Sequence, residues 1–345
     1  MPAATLTSSP PGDARRNALA DWIGREIGTR AFSLMPASED ASFRRYFRVT
    51  PDKPWHRHST LIAMDAPPPM EDCRPYVHVA SLLRGCGVNA PEVFAADVER
   101  GFLLLTDLGD RLYLDALDDD SAQPLYTDAI GALIRWQSAS RDGDLARYDE
   151  ALLARELALF PDWYVARHLR VTLTLAQQAT LTQSFRSVLD RSLAQPVVYV
   201  HRDYHSRNLM VCDDNPGVLD FQDAVCGPIT YDLVSLLRDA YIEWDEERQI
   251  DWAVRYWERA RKAGLPVRED FSEFWTDFEW MGVQRQLKVL GIFARLCHRD
   301  GKARYVDDMP RVSRYLRSAC ARYSALAPLA LLLDELEGRA VGCTF

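Results

Sequence analysis

The first third of the chain alternates short apolar runs with polar turns, and this pattern predicts a small sheet. Apolar residues at helical spacing predict a first helix over residues 17–29. Runs rich in β-branched and aromatic residues predict strands at 43–49, 61–64, 93–97 and 102–106, with a helix at 76–83 between the second and the third. The tripeptide Asp107-Leu108-Gly109, which follows the last strand, predicts a hinge.

From residue 121 onward the hydrophobic spacing becomes mainly helical. Helices are predicted at 126–137, 150–160, 176–193, 231–241, 249–263 and 271–296. A strand at 195–200 and a hairpin built from 209–211 and 218–219 interrupt them. We therefore expect an α+β chain with a flexible tail at 1–16, a sheet-containing part over 17–107 and a mainly helical part over 108–345.

The composition excludes several classes of protein. The 345 residues carry a net charge of −9 and no long Lys/Arg run, which argues against a nucleic-acid binder. Seven scattered cysteines, never spaced as C-x-x-C, favour free thiols in a reducing cytoplasm over disulfides or a zinc site. The most apolar stretch, 325–333, is too short to span a bilayer, and the N-terminus lacks the apolar core of a signal peptide. We expect a cytoplasmic monomer with neither a membrane nor a nucleic-acid partner.

One polar segment inside the helical part carries the chemistry. His201, Asp203 and Asn208 match the pattern H-x-D-x-x-x-x-N, and Asp220 with Phe221 follows Asn208 by twelve residues. This is the spacing of the catalytic loop and metal-binding strand end of kinase-like phosphotransferases. Asp203 is predicted to orient an acceptor hydroxyl and accept its proton, and Asn208 and Asp220 to bind Mg²⁺ against the phosphates of ATP. The alternatives are a surface loop with a coincidental Asn and, for Asp203, a turn or helix-capping carboxylate.

The neighbours of this motif are predicted to support it. We expect His201 and Arg202 to brace the loop, whereas Tyr204 and His205 are candidates for contact with the acceptor. A solvated loop histidine is the alternative for His205. Asp232, at the start of an apolar helical segment, is predicted to cap that helix and, as in kinase-like folds, to tie down the loop backbone.

The interval between Asp220 and Asp232 separates two kinds of kinase. Protein kinases place an activation segment that ends in A-P-E here. This chain has eleven residues, 221–231, and no A-P-E. Because nothing remains to dock a polypeptide, the interval favours a small-molecule kinase. Asp223 within it is a candidate to support the metal or to face the acceptor.

With these features the chain resembles the aminoglycoside-phosphotransferase-like kinases over nearly its whole length. The resemblance implies a protein-kinase-like bilobal fold, in which a small N-lobe has an antiparallel sheet and the C-lobe is mostly helical. The chain is also similar to the bacterial amino-sugar kinases of cell-wall recycling, which phosphorylate the anomeric hydroxyl of N-acetylmuramate and N-acetylglucosamine. The segments that carry this narrower resemblance are 40–49 (DASFRRYFRV), 64–68 (MDAPP), 104–110 (LLTDLGD), 227–233 (GPITYDL) and 284–295 (QRQLKVLGIFAR).

By this resemblance the reaction would be an ATP-dependent phosphorylation of a small-molecule sugar. Aminoglycoside, choline or homoserine-like acceptors are the alternatives within the same superfamily. A catalytically inactive nucleotide-binding module is an alternative of a different class, which the intact Asp203, Asn208 and Asp220 argue against.

The nucleotide-binding part departs from the protein-kinase pattern. The loop at 38–48 contains no glycine, and the strand over 61–65 lacks the lysine that kinases carry there. Arg202 also stands where many small-molecule kinases of the family have glycine. We expect amides and side chains of the loop to contact phosphate and the hinge to contact the nucleotide, the candidates being Ser42, Phe43, Arg44, Arg45, Arg48, Thr106, Asp107 and Leu108. Exposed arginines on a strand are the alternative for the basic residues.

Three basic residues in segment 271–296 bear on the acceptor. Arg285, Lys288 and Arg295 lie in one helical stripe, for which a solvated basic face is the ordinary interpretation. If the stripe instead lines the substrate site, Arg285 and Lys288 suit an anionic acceptor such as the lactyl carboxylate of N-acetylmuramate. Trp163 is a candidate to stack on a sugar face, with a core position as its alternative.

Overall fold

The computed structural model describes residues 13–38 and 43–338, which form two compact units. The first unit contains the described residues up to Arg84 together with Ala90–Gly109, and the second contains Gly85–Asn89 and the described residues from Asp110 onward. The predicted tail lies outside the described residues up to position 12, and so does the candidate phosphate-binding residue Ser42.

The first unit is a five-stranded antiparallel sheet with two helices. Helix α1 (Ala14–Glu26) precedes the sheet, and α2 (Arg74–Gly85) joins its third and fourth strands. The strands are β1 (Phe32–Ser38), β2 (Arg45–Pro51), β3 (Leu61–Asp65), β4 (Val93–Asp97) and β5 (Phe102–Thr106), in the spatial order β1-β2-β3-β5-β4.

Apolar residues of α1 and of one face of the sheet form the core of this unit. Leu19, Trp22 and Ile23 of α1 are buried against apolar side chains of β2, β3 and β5. The predicted helices and strands are all present, but β1 was missed. It contains Pro36 and the exposed Met35, and it lies at the edge of the sheet, where a proline can be accommodated.

The second unit is mostly helical. Its helices are α3 (Tyr113–Ala116), α4 (Ala122–Ser138), α5 (Glu150–Leu157), α6 (Leu175–Leu193), α7 (Tyr231–Leu237), α8 (Glu246–Lys262), α9 (Phe271–His298), α10 (Met309–Arg322) and α11 (Ala327–Leu336). A π-helix spans Phe160–Leu169, and short 3₁₀ turns span Ala303–Val306 and Ser324–Leu326. Its strands are β6 (Val197–Val200), β7 (Leu209–Met210), β8 (Gly217–Val218) and β9 (Val225–Pro228), of which β6 pairs with β9 and β7 with β8.

Helix α9 is the core helix of the second unit. Every residue from Asp277 to Gly291 is buried, so this helix packs against neighbours on all sides. Gly291 permits one of these contacts, because a Cβ added there would lie 2.4 Å from the Leu159 carbonyl carbon. Any larger residue at 291 would push α9 away from the segment that leads into the π-helix.

Several element boundaries in the second unit differ from prediction. The predicted helix 150–160 is divided, because α5 ends at Leu157 and the π-helix begins at Phe160, next to Pro161. Helix α7 ends at Leu237, earlier than expected, and β9 was not predicted. The six described cysteines are free thiols, as expected. Within the part of the chain that the structure describes, no helix is long and apolar enough to cross a membrane.

Candidate active site

The segment between β6 and β9 holds the predicted base and metal ligands. The two strands pair antiparallel from Val197↔Pro228 to Val200↔Val225, so backbone hydrogen bonds join the two ends of residues 201–224. The β7–β8 hairpin forms a second, smaller pair inside this segment. Asp203 and Asn208 precede the hairpin and Asp220 follows it. The hairpin therefore returns the chain to the place where it left the motif.

Asn208 connects the two sides of the motif. Its amide nitrogen donates to the Asp203 carbonyl oxygen at 2.9 Å and lies 3.4 Å from Oδ2 of Asp220. The Leu219 backbone N–H donates to the Asn208 carbonyl oxygen at 2.9 Å. Gln222 Nε2 donates to Oδ1 of Asp220 at 2.9 Å and so holds that carboxylate from the other side. These bonds orient the amide of Asn208 and the carboxylate of Asp220 next to each other.

The oxygen atoms of Asn208 and Asp220 suit a magnesium ion. Carboxylate and amide oxygens are hard ligands, and Mg²⁺ sites commonly combine one or two of them with water and substrate phosphates. Across residues 13–38 and 43–338, no group of three or more His, Cys, Asp and Glu side chains is arranged to hold a metal. Asn208 and Asp220 would supply two oxygen ligands and leave the other positions of a Mg²⁺ ion to water and phosphate oxygens.

The carboxylate of Asp203 is ionised at neutral pH. Burial by itself would raise its pKa, but the positive charges of Lys288, Arg285 and Arg202 outweigh burial and lower the pKa to about 2. A carboxylate with so low a pKa is a weak base. Asp203 is therefore suited to orient a hydroxyl group and to take its proton late in a reaction.

Asp232 holds the backbone of the loop. Its carboxylate is fully buried and accepts hydrogen bonds from the backbone N–H groups of His201, at 2.6 Å, and of Arg202, at 3.0 Å. Burial raises the pKa of Asp232 to about 7. The predicted capping role is wrong, because Thr230 is the residue that precedes α7 and Asp232 lies within its first turn. The side chain faces the loop and not the free amides of its own helix.

His201 is neutral, and its neighbours select the tautomer. Its Nε2 lies 3.0 Å from the Leu219 carbonyl oxygen, and the Asp203 backbone N–H donates to its Nδ1 at 3.3 Å. Because a carbonyl oxygen can only accept and an amide N–H can only donate, the proton resides on Nε2. Burial lowers the pKa of His201 to about 4. The imidazole thus links the start of the loop to the strand end that carries Asp220.

A buried carboxylate that the sequence analysis did not identify lies behind the loop. Glu156 on α5 is 6% exposed, and its Oε1 lies 2.5 Å from Nη2 of Arg202 and 3.1 Å from Nζ of Lys288. Its Oε2 accepts a hydrogen bond from the Tyr148 hydroxyl. Burial raises the pKa of Glu156, but Lys288 and Arg202 lower it more, to below its ordinary value. Glu156 therefore joins helices α5 and α9 to the residue beside Asp203.

Arg202 has a backbone conformation that favours glycine. Its φ of 77° lies in the left-handed region, where a Cβ is strained. The guanidinium makes the ion pair with Glu156 and lies 5.6 Å from the centroid of the Tyr148 ring. The ion pair holds a strained residue in place directly before Asp203.

The basic stripe of α9 is not a solvated face. Arg285 and Lys288 are 3% and 5% exposed, and Arg295 is half-buried. Lys288 Nζ donates to the Tyr231 hydroxyl at 2.9 Å in addition to its ion pair with Glu156. The interpretation as a solvated basic face is wrong because α9 is buried on every side, so Arg285 and Lys288 face the interior of the unit.

The candidate acceptor contacts have different environments. Tyr204 is 2% exposed and its hydroxyl donates to the Ala129 carbonyl oxygen at 2.9 Å, so its ring packs in the core and its contact with the acceptor stays a prediction. His205 is half-buried with its ring edge-on to Tyr241 at 5.4 Å between centroids, and burial lowers its pKa. Asp223 is exposed beside the motif.

Trp163 lies half-buried on the π-helix. Its neighbour Tyr164 is buried, and the Tyr164 hydroxyl donates to Oε1 of Glu337 at 3.0 Å. No described contact ties Trp163 to the loop, so its stacking role stays a prediction.

In the first unit, Arg48 is bound to the predicted hinge. Its guanidinium donates to Oδ2 of Asp107 at 2.6 Å, to Oδ1 of Asp107 at 3.1 Å and to the Gly109 carbonyl oxygen at 2.9 Å. Oδ1 of Asp107 also accepts from the Gly109 backbone N–H at 3.0 Å. The Thr106 hydroxyl oxygen accepts from the Glu92 backbone N–H at 3.2 Å. Together these bonds give the hinge segment, which includes Leu108, a defined conformation.

The other arginines of the loop are also engaged. Arg45 pairs with the fully buried Asp65, through Nη2 at 2.5 Å, and with Asp13. Arg44 Nε lies 3.9 Å from Glu71, which also accepts from the backbone N–H of the exposed Phe43 at 3.1 Å. The alternative of exposed arginines on a strand therefore does not hold. Arg45 offsets a carboxylate at the strand end where kinases have their lysine.

The chain is similar to one family of phosphotransferases and to curated kinases over most of its length. The model of the phosphotransferase enzyme family matches residues 33–271. A curated relative from Pseudomonas putida, named N-acetylmuramate/N-acetylglucosamine kinase, is 48% identical and the match covers 96% of this chain and 99% of the relative. Relatives of the same name from Pseudomonas aeruginosa (52% identical, 88% of each chain) and Neisseria meningitidis (49% identical, 94% of this chain and 96% of the relative) also match.

Solved structures with little sequence identity share the fold. The gentamicin complex of APH(2")-IIa superposes with a TM-score of 0.59 at 13% identity, over 89% of this chain and 97% of that one. A choline kinase from Cryptosporidium parvum superposes with a TM-score of 0.61 at 10% identity, over 92% and 99%. These likenesses, with the antiparallel sheet and the helical remainder, confirm the predicted protein-kinase-like α+β fold. The chain therefore belongs to the phosphotransferase enzyme family, in the branch that contains the curated N-acetylmuramate/N-acetylglucosamine kinases.

Proposed function

We propose that this protein transfers the γ-phosphoryl group of ATP, with Mg²⁺, to the anomeric hydroxyl of N-acetylmuramate and N-acetylglucosamine. The observation that carries the proposal is the convergence of Asp203, Asn208 and Asp220 on one segment closed by β6 and β9. The names of the relatives supply the two sugars. Structural neighbours solved with ADP and with ATP supply the nucleotide.

Asp203 acts on the acceptor in this proposal. Its ionised carboxylate accepts a hydrogen bond from the anomeric hydroxyl and points that oxygen at the γ-phosphorus. As the new O–P bond forms and the bond to ADP breaks, the hydroxyl proton passes to Asp203. With a pKa of about 2, the carboxylate takes the proton late, when the forming O–P bond has drawn electrons from the sugar oxygen and made its proton acidic.

Asn208 and Asp220 would hold the metal, and Gln222 would keep the Asp220 carboxylate oriented. A bound Mg²⁺ would neutralise charge on the phosphate oxygens. Among the residues of the first unit, we assign nucleotide contacts to the hinge at Asp107 and Leu108.

The phosphate-binding role is assigned to the loop of the first unit. The Phe43 amide and the Arg44 guanidinium are proposed to contact phosphate, as is Ser42, which lies outside the described residues. Arg45 and Arg48 would act by fixing the loop and the hinge through their ion pairs.

The acceptor contacts are assigned to residues of the second unit. His205 and Asp223 flank the motif, and Trp163 is proposed to stack on the sugar. Lys288 contributes through its charge on Asp203. We further propose a cytoplasmic monomer, divided near residues 107 and 108, and the free cysteines support a reducing compartment.

The test is Mg²⁺-dependent release of ADP from ATP with N-acetylmuramate, N-acetylglucosamine, kanamycin, choline and homoserine. A phosphorus-31 signal split by the anomeric proton would identify the product. Turnover with another acceptor alone would replace the sugar assignment. Nucleotide binding without turnover on any acceptor would mean that the chain is a binding module.

Chelation of Mg²⁺ and the substitution Asp220→Ala serve as controls for the metal assignment. Both are expected to abolish turnover, and Asp220→Ala should weaken Mg²⁺-dependent binding of ATP. Metal dependence that survives Asp220→Ala would remove Asp220 from the site.

A further inference from the structure

Arg285 carries a positive charge in the interior of the second unit and makes no hydrogen bond or ion pair with another described residue. Its side chain is 3% exposed, and its Nε and Nη1 atoms are buried with no hydrogen-bond partner among the described residues. Arginine cannot discard its proton under ordinary conditions. A buried, unpaired charge is costly, and buried charges in proteins are normally paired. Such a group points to an anion that comes from a ligand.

The other buried cations nearby are already paired. Lys288, one turn further along α9, contacts Glu156 at 3.1 Å and Tyr231 at 2.9 Å. Arg202 contacts the same Glu156 at 2.5 Å. The carboxylate of Glu156 thus serves two cations, and Arg285 is left without one. Of Arg285 and Lys288, the two residues of α9 predicted to suit an anionic acceptor, Arg285 is therefore the one that makes no ion pair within the described residues.

Arg285 also lies near the reacting groups, because it is one turn before Lys288 on α9 and Lys288 shares Glu156 with Arg202, the residue next to Asp203. Its positive charge helps to lower the pKa of Asp203, of His205 and of Asp232. His205 shows the same sign of an incomplete site, because its Nδ1 is buried without a hydrogen-bond partner among the described residues. Three unsatisfied polar atoms, on the two side chains Arg285 and His205, indicate that a polar ligand completes this part of the unit.

We propose that Arg285 binds the lactyl carboxylate of N-acetylmuramate and thereby selects the acid sugar over the neutral one. The proposal rests on the function proposed above. N-acetylmuramate differs from N-acetylglucosamine by this one lactyl ether, whose carboxylate is an anion that a guanidinium can bind through two parallel hydrogen bonds. The γ-phosphate of the nucleotide is the other possible source of an anion, and the experiment separates the two.

The first experiment varies the substrate and uses the unchanged protein. Values of kcat/KM are measured for N-acetylmuramate, its lactyl methyl ester and N-acetylglucosamine. The ester has the same skeleton but no negative charge, and we expect its kcat/KM to be lower than that of the acid by about 100-fold. An ester used as well as the acid would overturn the proposal without any substitution.

The second experiment varies the protein: it compares Arg285→Met with the matched control Arg299→Met on the same substrates. Arg299 is an exposed cation at the end of the same helix and pairs with Asp300. Arg285→Met removes a charge that acts on Asp203 with every acceptor, so the test is the difference between acceptors: kcat/KM for N-acetylmuramate should fall about 100-fold further than kcat/KM for the ester or for N-acetylglucosamine. Arg299→Met should change none of them. Because the ester and the substitution remove the same interaction, their effects should not add.

Three outcomes contradict the proposal. Equal losses on both sugars with a raised KM for ATP would place the anion on the nucleotide. Equal losses with an unchanged KM for ATP would make Arg285 a positioning residue for Asp203. No loss on any substrate would leave the cation without a ligand role. Absence of turnover by the unchanged protein on either sugar would instead defeat the proposed function, so the two failures can be told apart.

Folding provides a readout that does not depend on activity. Since Arg285 makes no hydrogen bond or ion pair among the described residues, Arg285→Met should lower the melting temperature less than Lys288→Met, which takes a partner from the buried Glu156. Addition of N-acetylmuramate should raise the melting temperature of the unchanged protein more than that of the variant. If the methionine variant does not fold, Arg285→Gln and the ester comparison supply the same decision.

Discussion

Arg202 permits a quantitative test, because two opposing effects meet at one residue. Its φ of 77° strains any side chain with a Cβ, while its guanidinium is paired with the buried Glu156. Arg202→Gly removes both the strain and the ion pair. Arg202→Ala removes the ion pair and keeps the strain. The difference between the two variants therefore equals the strain minus the cost of the greater freedom of glycine in the unfolded chain.

The magnitudes follow from the surroundings of the residue. Removing one partner of a buried ion pair costs about 3–5 kcal/mol of unfolding free energy, and the low end applies here because Lys288 still faces Glu156. Arg202→Ala should therefore lose about 3 kcal/mol. The left-handed conformation destabilises a residue that has a Cβ by about 1–2 kcal/mol. Glycine avoids this strain but lowers the unfolding free energy by about 0.4–1 kcal/mol, because its unfolded chain has more conformations. Arg202→Gly should therefore be more stable than Arg202→Ala by about 1 kcal/mol.

The assay is urea unfolding followed by far-ultraviolet circular dichroism. Arg170 provides the control, because it has a φ of 59° at an exposed position. Glycine at 170 should be at least as stable as the original residue, since no buried ion pair is lost there. If Arg202→Ala is as stable as Arg202→Gly, the strain argument is wrong. If neither variant loses stability, the ion pair with Glu156 contributes nothing.

Three further predictions concern the base, the buried network and pH. Asp203→Asn should lower kcat by about 100- to 10,000-fold while isothermal titration still detects ATP binding; undiminished turnover would remove Asp203 from the mechanism. Lys288→Met should cost about 3 kcal/mol in urea unfolding because Glu156 loses a partner, and a loss below about 1 kcal/mol would mean that Arg202 suffices. The pKa of His201 is lowered from 6.5 to about 4, so the unfolded chain protonates first and stability falls as pH drops through this range. His201→Asn should lose less stability over the same range, and an equal loss would refute the assignment to His201.

The catalytic segment was predictable because its chemistry is contiguous. Asp203, Asn208 and Asp220 lie within one stretch, and the hairpin between them follows from its turn residues. The strand β9 escaped prediction because its partner, β6, pairs with it across the whole loop. Edge strand β1 was hidden by Pro36, which a sequence pattern associates with breaks more than with strands.

The charged network behind the loop required the fold. Glu156 lies on the same face of α5 as the buried Leu153 and Leu157, which is a sign that an acidic residue points inward. The pattern of α9 carried a similar sign, since its apolar residues occur on every face and a buried helix buries its Arg285 and Lys288 too. No sequence pattern pairs Glu156 with Lys288, because helices α5 and α9 meet only in the folded chain.

The pairing of β6 with β9 places the groups proposed to react in one segment, whereas the surrounding groups come from other helices. It closes residues 201–224 into one insert, in which the Asn208 side chain and, from outside, the Asp232 carboxylate hold the proposed base, amide and metal-binding carboxylate together. The groups that surround this insert, such as Glu156 and Arg285, come from helices elsewhere in the chain. A change of acceptor by substitutions on these helices would therefore keep the chemistry only if Lys288 and Glu156, which act on Asp203 and Arg202, are retained.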